Sequence, residues 1–376
     1  MVGGGQGAFI GAVHRMAASL DQQIDLAAGC FSRDPNNTLE TGRQLYLAPE
    51  RCYHTFEEMA EREAALTANE RIDFVSIVTP NASHYPAARV FLEHGIHVLC
   101  DKPMTLDVGE ARALAALVER TGLVFGLTHN YTGHPLVRHA RELLRSGLMG
   151  TVRKVMVEYL QDFLVYPHEQ HGQKQALWRV DPAQAGAGGT LGDCGSHAIN
   201  LLEFLIGREV EAVCADKSIF MPGRVLDEDV NLLLRLRGGG KGSMTISQIA
   251  TGEENALSFR IYTEKGAVKW AQENPNYLDV YRYGEERHTL TRGSQNLSDA
   301  SKQVTRVPVG HPEGYLEAFA TIYGDFARAV QAHLEGEKLA VSEYAFPSVH
   351  DGVRGMEFIA AAVESASADS KWVTLP

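Results

Sequence analysis

The strongest constraint on the fold of this 376-residue chain is a change of hydrophobic period near residue 134. Before it, short apolar runs such as Phe74–Val78 and His97–Cys100 alternate with stretches that repeat apolar residues every three to four positions. This alternation is typical of βαβ units on a parallel sheet. After the helical stretch Leu136–Ser146, apolar and polar residues mostly alternate with period two, as in Leu257–Thr263. That period indicates strands with one buried face.

These patterns predict two domains. Residues 1–134 are expected to form an α/β domain of the Rossmann type, and residues 135–376 an α+β domain with a large, mainly antiparallel, open-faced sheet. Ile24–Cys30 and Val124–Leu127 are predicted as further parallel strands, and Leu191–Ile206 as a helix among the later strands. The polar stretch Glu285–Arg306 is predicted as a surface connection.

Composition and charge argue against several classes of function. There are 35 Lys and Arg against 47 Asp and Glu, a formal charge of −12, which argues against nucleic acid or an anionic membrane as partner. No apolar run reaches the roughly 20 residues of a membrane span. The five cysteines are odd in number and lack metal-type spacing, so we expect reduced thiols and a cytoplasmic location.

Glycines crowd the N-terminal segment, which contains Gly3-x-Gly5-x-x-Ala8 followed by a helical stretch. Such a turn lets backbone N–H groups approach a pyrophosphate, which the helix dipole favours. Only Met1 and Val2 precede the glycines, although the motif requires a strand before it. We therefore expect native residues upstream of Met1.

Ser32 and Arg33 follow the predicted strand Ile24–Cys30, at the position expected to face the adenosine ribose. The acid usual at this place is absent, which permits NADP as well as NAD. Arg33 would bind a 2′-phosphate, stack on adenine or remain a solvated surface residue.

Two further motifs follow strands of the predicted parallel sheet. Thr79-Pro80-Asn81-x-x-His84 comes after one strand and Asp101-Lys102-Pro103 after the next. Ligands bind at the carboxyl ends of such strands. A lysine there can stabilise negative charge on a substrate oxygen; the alternative is a surface lysine paired with Asp101.

Asp193 and His197 end the glycine-rich segment that begins at Ala187. Four residues apart on a helix, they share one face. A carboxylate orients an imidazole and raises its basicity, which suits a general base. The alternative is a surface contact, but glycines without side chains to block a substrate favour a site.

Three local patterns do not support other chemistry. His168-Glu-Gln-His171 lacks the spacing of a zinc-binding helix, so no metal is expected. Gly238–Ser243 has the wrong lysine position for a phosphate-binding loop and is predicted as a hairpin turn. A hydrolase triad is also not expected. The side chains of Asp193, Ser196 and His197 project from one helical turn in directions that do not suit a triad, and no G-x-S-x-G elbow is present.

Together and in this order, the motifs resemble the Gfo/Idh/MocA family of NAD(P)-dependent sugar and cyclitol oxidoreductases. The resemblance covers nearly the whole chain and also rests on His129-Asn130 and Trp178-Arg179. It implies that Lys102, Asp193 and His197 are catalytic. The residues expected to bind NAD or NADP are Gly3, Gly5, Gln6, Gly7, Ala8, Phe9, Ile10, Ser32, Arg33, Thr79, Pro80, Asn81, His84, Asp101, Lys102, Asn130, Trp178 and Arg179. Those expected to bind substrate are Lys102, Asn130, Tyr131, Tyr159, Asp193 and His197. Asp101 departs from the family's usual glutamate.

The expected reaction removes hydride from a hydroxyl-bearing carbon of a sugar, anhydrosugar or cyclitol. His197, oriented by Asp193, would accept the hydroxyl proton, and Lys102 would stabilise the developing alkoxide. Two alternatives remain: a lyase or glycosidase that uses NAD for transient oxidation, and a non-enzymatic dinucleotide-sensing regulator. The open sheet face and the resemblance imply a homodimer or homotetramer formed through that face.

Overall fold

A computed structural model describes residues 1–337 and 339–376 and divides them into two compact units. The first unit comprises Met1–His129 and Phe319–Met356, and the second comprises Asn130–Ala318 and Glu357–Pro376. The chain first passes from one unit to the other after His129, close to the predicted boundary after residue 134. Residues 319–356, which the sequence pattern places in the second domain, belong to the first unit. Within the described ranges, no helix is both long and apolar enough to span a bilayer.

The first unit contains a parallel sheet in the order β1-β2-β3-β4. Its strands are β1 (Val2–Gly3), β2 (Phe74–Val78), β3 (His97–Cys100) and β4 (Phe125–Leu127). The helices of the first 129 residues are α1 (Phe9–Ser19), α2 (Pro35–Gln44), α3 (Phe56–Ala64), α4 (His84–Glu93) and α5 (Val108–Thr121). Apart from half-buried Phe74, the residues of β2 and β3 are buried, as expected for a parallel sheet covered on both faces.

The predicted strand Ile24–Cys30 is wrong for most of its length. Only Gly29 and Cys30 form bridges, to Cys52 and Val2 respectively, and residues 23–28 have no regular structure. The physical reason is that the neighbouring strand β1 is only two residues long and offers few backbone groups for hydrogen bonding. The Cys30 end still lies beside β1, where the Gly3 N–H donates to the Cys30 carbonyl at 2.9 Å.

Phe326, Phe346 and Ser348, from the second segment of this unit, pack on the free side of β4. A Cβ on Gly126 would lie 2.8 Å from the ring of Phe326 and 3.0 Å from that of Phe346. Ser348 forms an antiparallel bridge to Gly126. The missing side chain of this one glycine thus lets distant aromatic residues cover the sheet.

The second unit is built on a nine-stranded sheet in the order β12-β11-β10-β9-β5-β8-β7-β6-β13. All neighbouring pairs are antiparallel except β5 and β8, which are parallel. The strands are β5 (Val152–Leu160), β6 (Val210–Ser218), β7 (Asp229–Leu236), β8 (Lys241–Ser247), β9 (Ala256–Thr263), β10 (Gly266–Ala271), β11 (Tyr277–Arg282), β12 (His288–Thr291) and β13 (Val373–Thr374). The prediction of a large, mainly antiparallel sheet is confirmed.

The remaining helices are α6 (Pro135–Arg145), α7 (Lys174–Arg179), α8 (Pro182–Ala185), α9 (Ser196–Ile206), α10 (Asp299–Lys302), α11 (Tyr315–Leu334) and α12 (Val349–Ser367). Boundaries between the two units fall inside α11 and α12. Gly238, Gly239 and Gly240 all have positive φ and form the turn between β7 and β8, so the predicted hairpin turn is confirmed.

The stretch Glu285–Arg306, predicted as a surface connection, lies mostly on the surface but also contains β12 and α10. Arg292 in this stretch is 7% exposed and pairs with Glu313 at 2.8 Å. It also donates to the Val307 carbonyl at 2.9 Å. Arg292 is therefore buried within a mostly exposed stretch, where its guanidinium is paired with a carboxylate and a backbone oxygen.

Candidate active site

The glycine-rich segment turns sharply before α1. Gly3, Gly4 and Gly7 have φ of +84°, +76° and +80°, a region that favours glycine. A Cβ on Gly11 would lie 2.3 Å from the Gly4 Cα. Gly11 therefore permits the close approach of α1 to the turn, while Ala8 is the N-cap of α1.

The start of α1 fits a pyrophosphate. Among the described residues, no side chain caps this helix, and its first turn has no acidic residue. Gln6 and Gly7 are exposed, Ile10 is half-buried, and Phe9 is 65% exposed. Unpaired N–H groups and the partial positive charge of a helix N-terminus favour an anion.

Two residues of α2 hold this turn. The Gln6 backbone N–H donates to Asn37 Oδ1 at 3.1 Å and to Thr41 Oγ1 at 3.2 Å. Sequence reasoning missed both residues because it did not predict α2. The signal was present, since Asp34 caps α2 and Pro35 is at its first position, a typical helix start.

The turn at Ser32 and Arg33 is also tied to α2. The Ser32 backbone N–H donates to Thr38 Oγ1 at 3.0 Å, and its hydroxyl accepts from the Asp34 N–H at 3.1 Å. Arg33 is exposed. The three alternatives for Arg33, which are binding a 2′-phosphate, stacking on adenine and staying solvated, remain predictions.

His84 joins the turns that follow β2 and β3. Its Nδ1 lies 2.8 Å from the Pro103 carbonyl oxygen, and its Nε2 lies 2.9 Å from the Thr79 carbonyl oxygen. Burial lowers the pKa of His84. Because both ring nitrogens face protein backbone, the visible role of His84 is structural, while a cofactor contact at Thr79, Pro80 or nearby Asn81 stays a prediction.

Asp101 fixes the backbone at Lys102. Its Oδ1 accepts from the Lys102 N–H and the Thr128 hydroxyl, each at 2.8 Å, and its Oδ2 lies 3.9 Å from His14 Nε2. Burial raises the pKa of Asp101, but nearby His14, Lys102 and His84 outweigh it, so the pKa is lowered. The carboxylate is thus ionised beside Lys102, at the carboxyl end of β3 where ligands bind in such sheets.

Asp193 and His197 lie on one continuous helical segment of the second unit. A π-helical turn, Leu191–Gly195, runs directly into α9, which confirms the predicted helix and keeps the two side chains on one side. Such π turns are frequent at functional sites. His197 is buried, and Asp193 is partly exposed.

Two donors converge on one oxygen of Asp193. Arg179 Nε lies 3.2 Å from Asp193 Oδ2, and Gln248 Nε2 lies 3.1 Å from the same atom. The guanidinium of Arg179 also lies 4.5 Å from the Trp178 ring centroid and 5.7 Å from that of Phe163. The predicted cofactor contacts of Trp178 and Arg179 stay predictions, whereas the structure gives Arg179 a direct contact with Asp193.

The glycines before His197 serve packing rather than open access. A Cβ on Gly189 would lie 2.5 Å from the Asp227 carbonyl oxygen, and one on Gly195 would lie 2.9 Å from Leu191 Cδ1. The Asp227 carboxylate accepts from the N–H groups of Gly189 at 2.9 Å and Leu191 at 2.7 Å. We expected the whole segment to leave room for a substrate. Among the glycines described here, this holds only for Gly192, whose Cβ position has no atom within 4 Å.

Two buried tyrosines pack against His197. The Tyr131 ring centroid lies 4.8 Å from that of His197, and the Tyr159 centroid lies 6.3 Å away. The two hydroxyls lie 2.7 Å apart, and both contact Asn255. Burial raises the pKa of Tyr131 to about 12, so the hydroxyl stays protonated near neutral pH. Substrate binding by either tyrosine stays a prediction.

Asn130 is 1% exposed. Among the described residues, its Nδ2 has no hydrogen-bond partner. A buried amide N–H without a partner is costly, which is compatible with the ligand contact that the sequence predicts for Asn130.

Family profiles match most of the chain. Residues 1–129 match the GFO/IDH/MocA oxidoreductase family with NAD-binding Rossmann fold, and residues 137–269 match the GFO/IDH/MocA C-terminal domain. The uncharacterized oxidoreductase YfiI of Bacillus subtilis is 31% identical over 99% of this chain and 95% of its own length. Levoglucosan dehydrogenase of Pseudarthrobacter phenanthrenivorans is 26% identical over 85% of this chain and 84% of its own.

A solved structure extends the similarity to three dimensions. An inositol dehydrogenase homolog from Azotobacter vinelandii, complexed with NADH and myo-inositol, is 32% identical with a TM-score of 0.93. The match covers 100% of this chain and 96% of the homolog. The uncapped glycine turn of the first unit fits the cofactor that this family binds. The chain therefore belongs to the GFO/IDH/MocA family and is an NAD-dependent oxidoreductase.

Proposed function

We propose that this protein oxidises a hydroxyl-bearing carbon of a sugar, an anhydrosugar or a cyclitol. The observation that carries the proposal is the Asp193 carboxylate, held by two donors one helical turn before His197. A fixed carboxylate beside an imidazole is suited to a general base that works near neutral pH. The names of the relatives, which include dehydrogenases of levoglucosan and D-apiose, support the substrate class.

Three side chains receive roles in this proposal. His197 accepts the proton of the substrate hydroxyl. Asp193 orients the imidazole and stabilises the positive charge that the imidazole gains. Lys102, fixed through the Asp101 contact with its backbone, donates a hydrogen bond that stabilises negative charge on the substrate oxygen. NAD, when bound, supplies the hydride acceptor.

The test is a parallel screen of sugars, anhydrosugars and cyclitols with NAD+ and with NADP+, followed by absorbance of the reduced cofactor. We expect reduction of NAD+ by at least one member of these classes. The NADP+ series also tests Arg33. If Arg33 binds the 2′-phosphate, Arg33→Ala is expected to lose activity with NADP+ selectively. Substrate consumption without net cofactor reduction would contradict the proposal and favour the transient-oxidation alternative.

We further propose that a second copy of this chain covers the outer face of the nine-stranded sheet. Large apolar side chains alternate outward there: Leu233 is 53% exposed, Tyr262 40% and Tyr277 47%. Large apolar side chains exposed on one face of a sheet favour association. Light scattering is expected to give the mass of two or four chains, and Leu233→Lys is expected to lower it. A single-chain mass at micromolar concentration would contradict this assembly.

A further inference from the structure

Gln248 is the centre of a buried side-chain network in the second unit. The residue is 2% exposed. Its Oε1 accepts from the Thr190 hydroxyl at 3.0 Å, and its Nε2 donates to Asp193 Oδ2 at 3.1 Å and to Gln161 Oε1 at 2.9 Å. The Asp193 carboxylate identifies the nitrogen end of the amide, because an ionised carboxylate only accepts. The amide group thus has three polar partners.

The network continues from Gln161 to the tyrosines that pack against His197. Gln161 Nε2 donates to Asn255 Oδ1 at 2.7 Å, and Asn255 Nδ2 donates to the Tyr131 hydroxyl at 3.1 Å. The Tyr131 ring lies against His197. One network therefore contacts both members of the Asp193 and His197 pair, from opposite ends.

Sheet register explains why these amides meet. Leu160 at the end of β5 pairs with Ser247 at the end of β8 in the one parallel pairing of this sheet, so Gln161 and Gln248 leave neighbouring strand ends together. Ala256 at the start of β9 also pairs with Leu160, which brings Asn255 to the same edge. Backbone bonds fix Gln248 as well: its N–H donates to the Glu228 carbonyl at 2.9 Å, and its carbonyl accepts from the Leu164 N–H at 2.7 Å.

We propose that Gln248 is a positioning residue for the oxidation, which sets the orientation of Asp193 and, through Gln161 and Asn255, the packing of Tyr131 on His197. The inference rests on the proposed function, which assigns proton transfer to His197. Gln248 acts through other residues and is not itself a catalytic residue. Low solvent access makes each hydrogen bond of such a network stronger and each unpaired group costlier.

The charges around the pair determine the experiment. The titratable groups of the second unit that lie near Asp193 and His197 include Arg179, Cys194 and the two tyrosines, Tyr131 and Tyr159. Burial raises the pKa of both tyrosines, so they stay neutral near neutral pH. A new carboxylate at position 248 would therefore add negative charge beside Asp193, whose Oδ2 lies 3.2 Å from Arg179 Nε.

The variant Gln248→Glu keeps the shape of the side chain but replaces a donor with an acid facing Asp193 Oδ2. The added negative charge favours the protonated imidazole. We expect the acidic limb of the pH profile of kcat/KM to move upward by about one pH unit. Gln303→Glu, an exposed substitution of the same type in the second unit, is the charge-matched control and is expected to leave the profile unchanged.

A second variant, Gln248→Leu, removes the hydrogen bonds without adding charge. We expect kcat to fall about 10–100-fold because the reacting groups lose their alignment. The KM for NAD+ is expected to stay within about twofold of wild type. Circular dichroism and thermal unfolding show whether each variant is folded.

A readout without turnover separates this inference from the proposed function. The histidine-ring NMR signal that disappears in His197→Ala is followed through a pH titration of the wild-type protein and of Gln248→Glu. We expect its midpoint to move upward in Gln248→Glu. If the wild-type protein oxidises none of the screened compounds, the proposed function fails, and the NMR midpoint still decides this inference. An unchanged midpoint, or near-normal kcat in folded Gln248→Leu, would overturn it.

Discussion

Replacing His197 with alanine is expected to lower kcat by about 10²–10⁴-fold, because the substrate hydroxyl loses the group that accepts its proton. Lys102→Ala is expected to lower kcat by about 10²–10³-fold, the usual cost of removing one donor to a developing oxyanion. Steady-state kinetics with the substrate found in the screen measures both effects.

Cofactor binding is expected to survive His197→Ala, because His197 is not among the predicted cofactor contacts, whereas Lys102 is. Neither side chain belongs to the glycine turn before α1, so NADH affinity, followed by fluorescence titration, is expected to change less than about threefold for His197→Ala. His94→Ala removes an exposed histidine at the end of α4 and is the matched control with unchanged kcat. Retention of near-normal kcat in both His197→Ala and Lys102→Ala would reject the assignment of roles.

The largest effect on stability is expected at Arg224. Its side chain is 3% exposed and forms ion pairs with Glu228, which is 1% exposed, and with Glu169 at 3.0 Å. It also donates to the Leu164 carbonyl at 2.7 Å. Arg224→Leu leaves buried carboxylates without their cation, which typically costs about 3–5 kcal/mol of unfolding free energy. Urea denaturation followed by circular dichroism measures this loss.

A surface arginine provides the comparison. Arg237 pairs with Glu209, and both side chains are more than half exposed, so Arg237→Leu is expected to cost only about 0–1 kcal/mol. Adding Glu228→Gln to Arg224→Leu removes the uncompensated charge and is expected to restore part of the stability. Equal losses in the two single variants would contradict a buried ionic role for Arg224.

Arg224 also illustrates how loops next to the candidate site are held. Its partners Leu164 and Glu169 lie in the stretch after β5, and the Leu164 N–H donates to the Gln248 carbonyl. Local sequence patterns carry no signal for this contact, because Arg224 lies 55 positions after Glu169. Nothing in a charge pattern distinguishes such an arginine from a solvated one.

Local patterns were sufficient for features that depend on neighbouring residues. Thr55 and Asp107 each accept a hydrogen bond from the N–H three residues later, as the capping pattern predicts. Period-two alternation in Leu257–Thr263 identified β9. The same logic failed for Ile24–Cys30, because strand formation also requires a partner that the residues themselves do not encode.

By itself, the sequence determined the class of each domain, the glycine turn before α1 and the helical spacing of Asp193 and His197, since all of these follow from periodicity, turn chemistry and short spacings. Only the tertiary structure decided that residues 319–356 cover the parallel sheet and that Gln161, Gln248 and Asn255 meet beside Asp193. The contacts among the three amide side chains depend on one parallel pairing, β5 with β8, inside an otherwise antiparallel sheet. Hydrogen bonding between backbones selects such a pairing across distant segments, and the side-chain pattern of either strand is compatible with both directions.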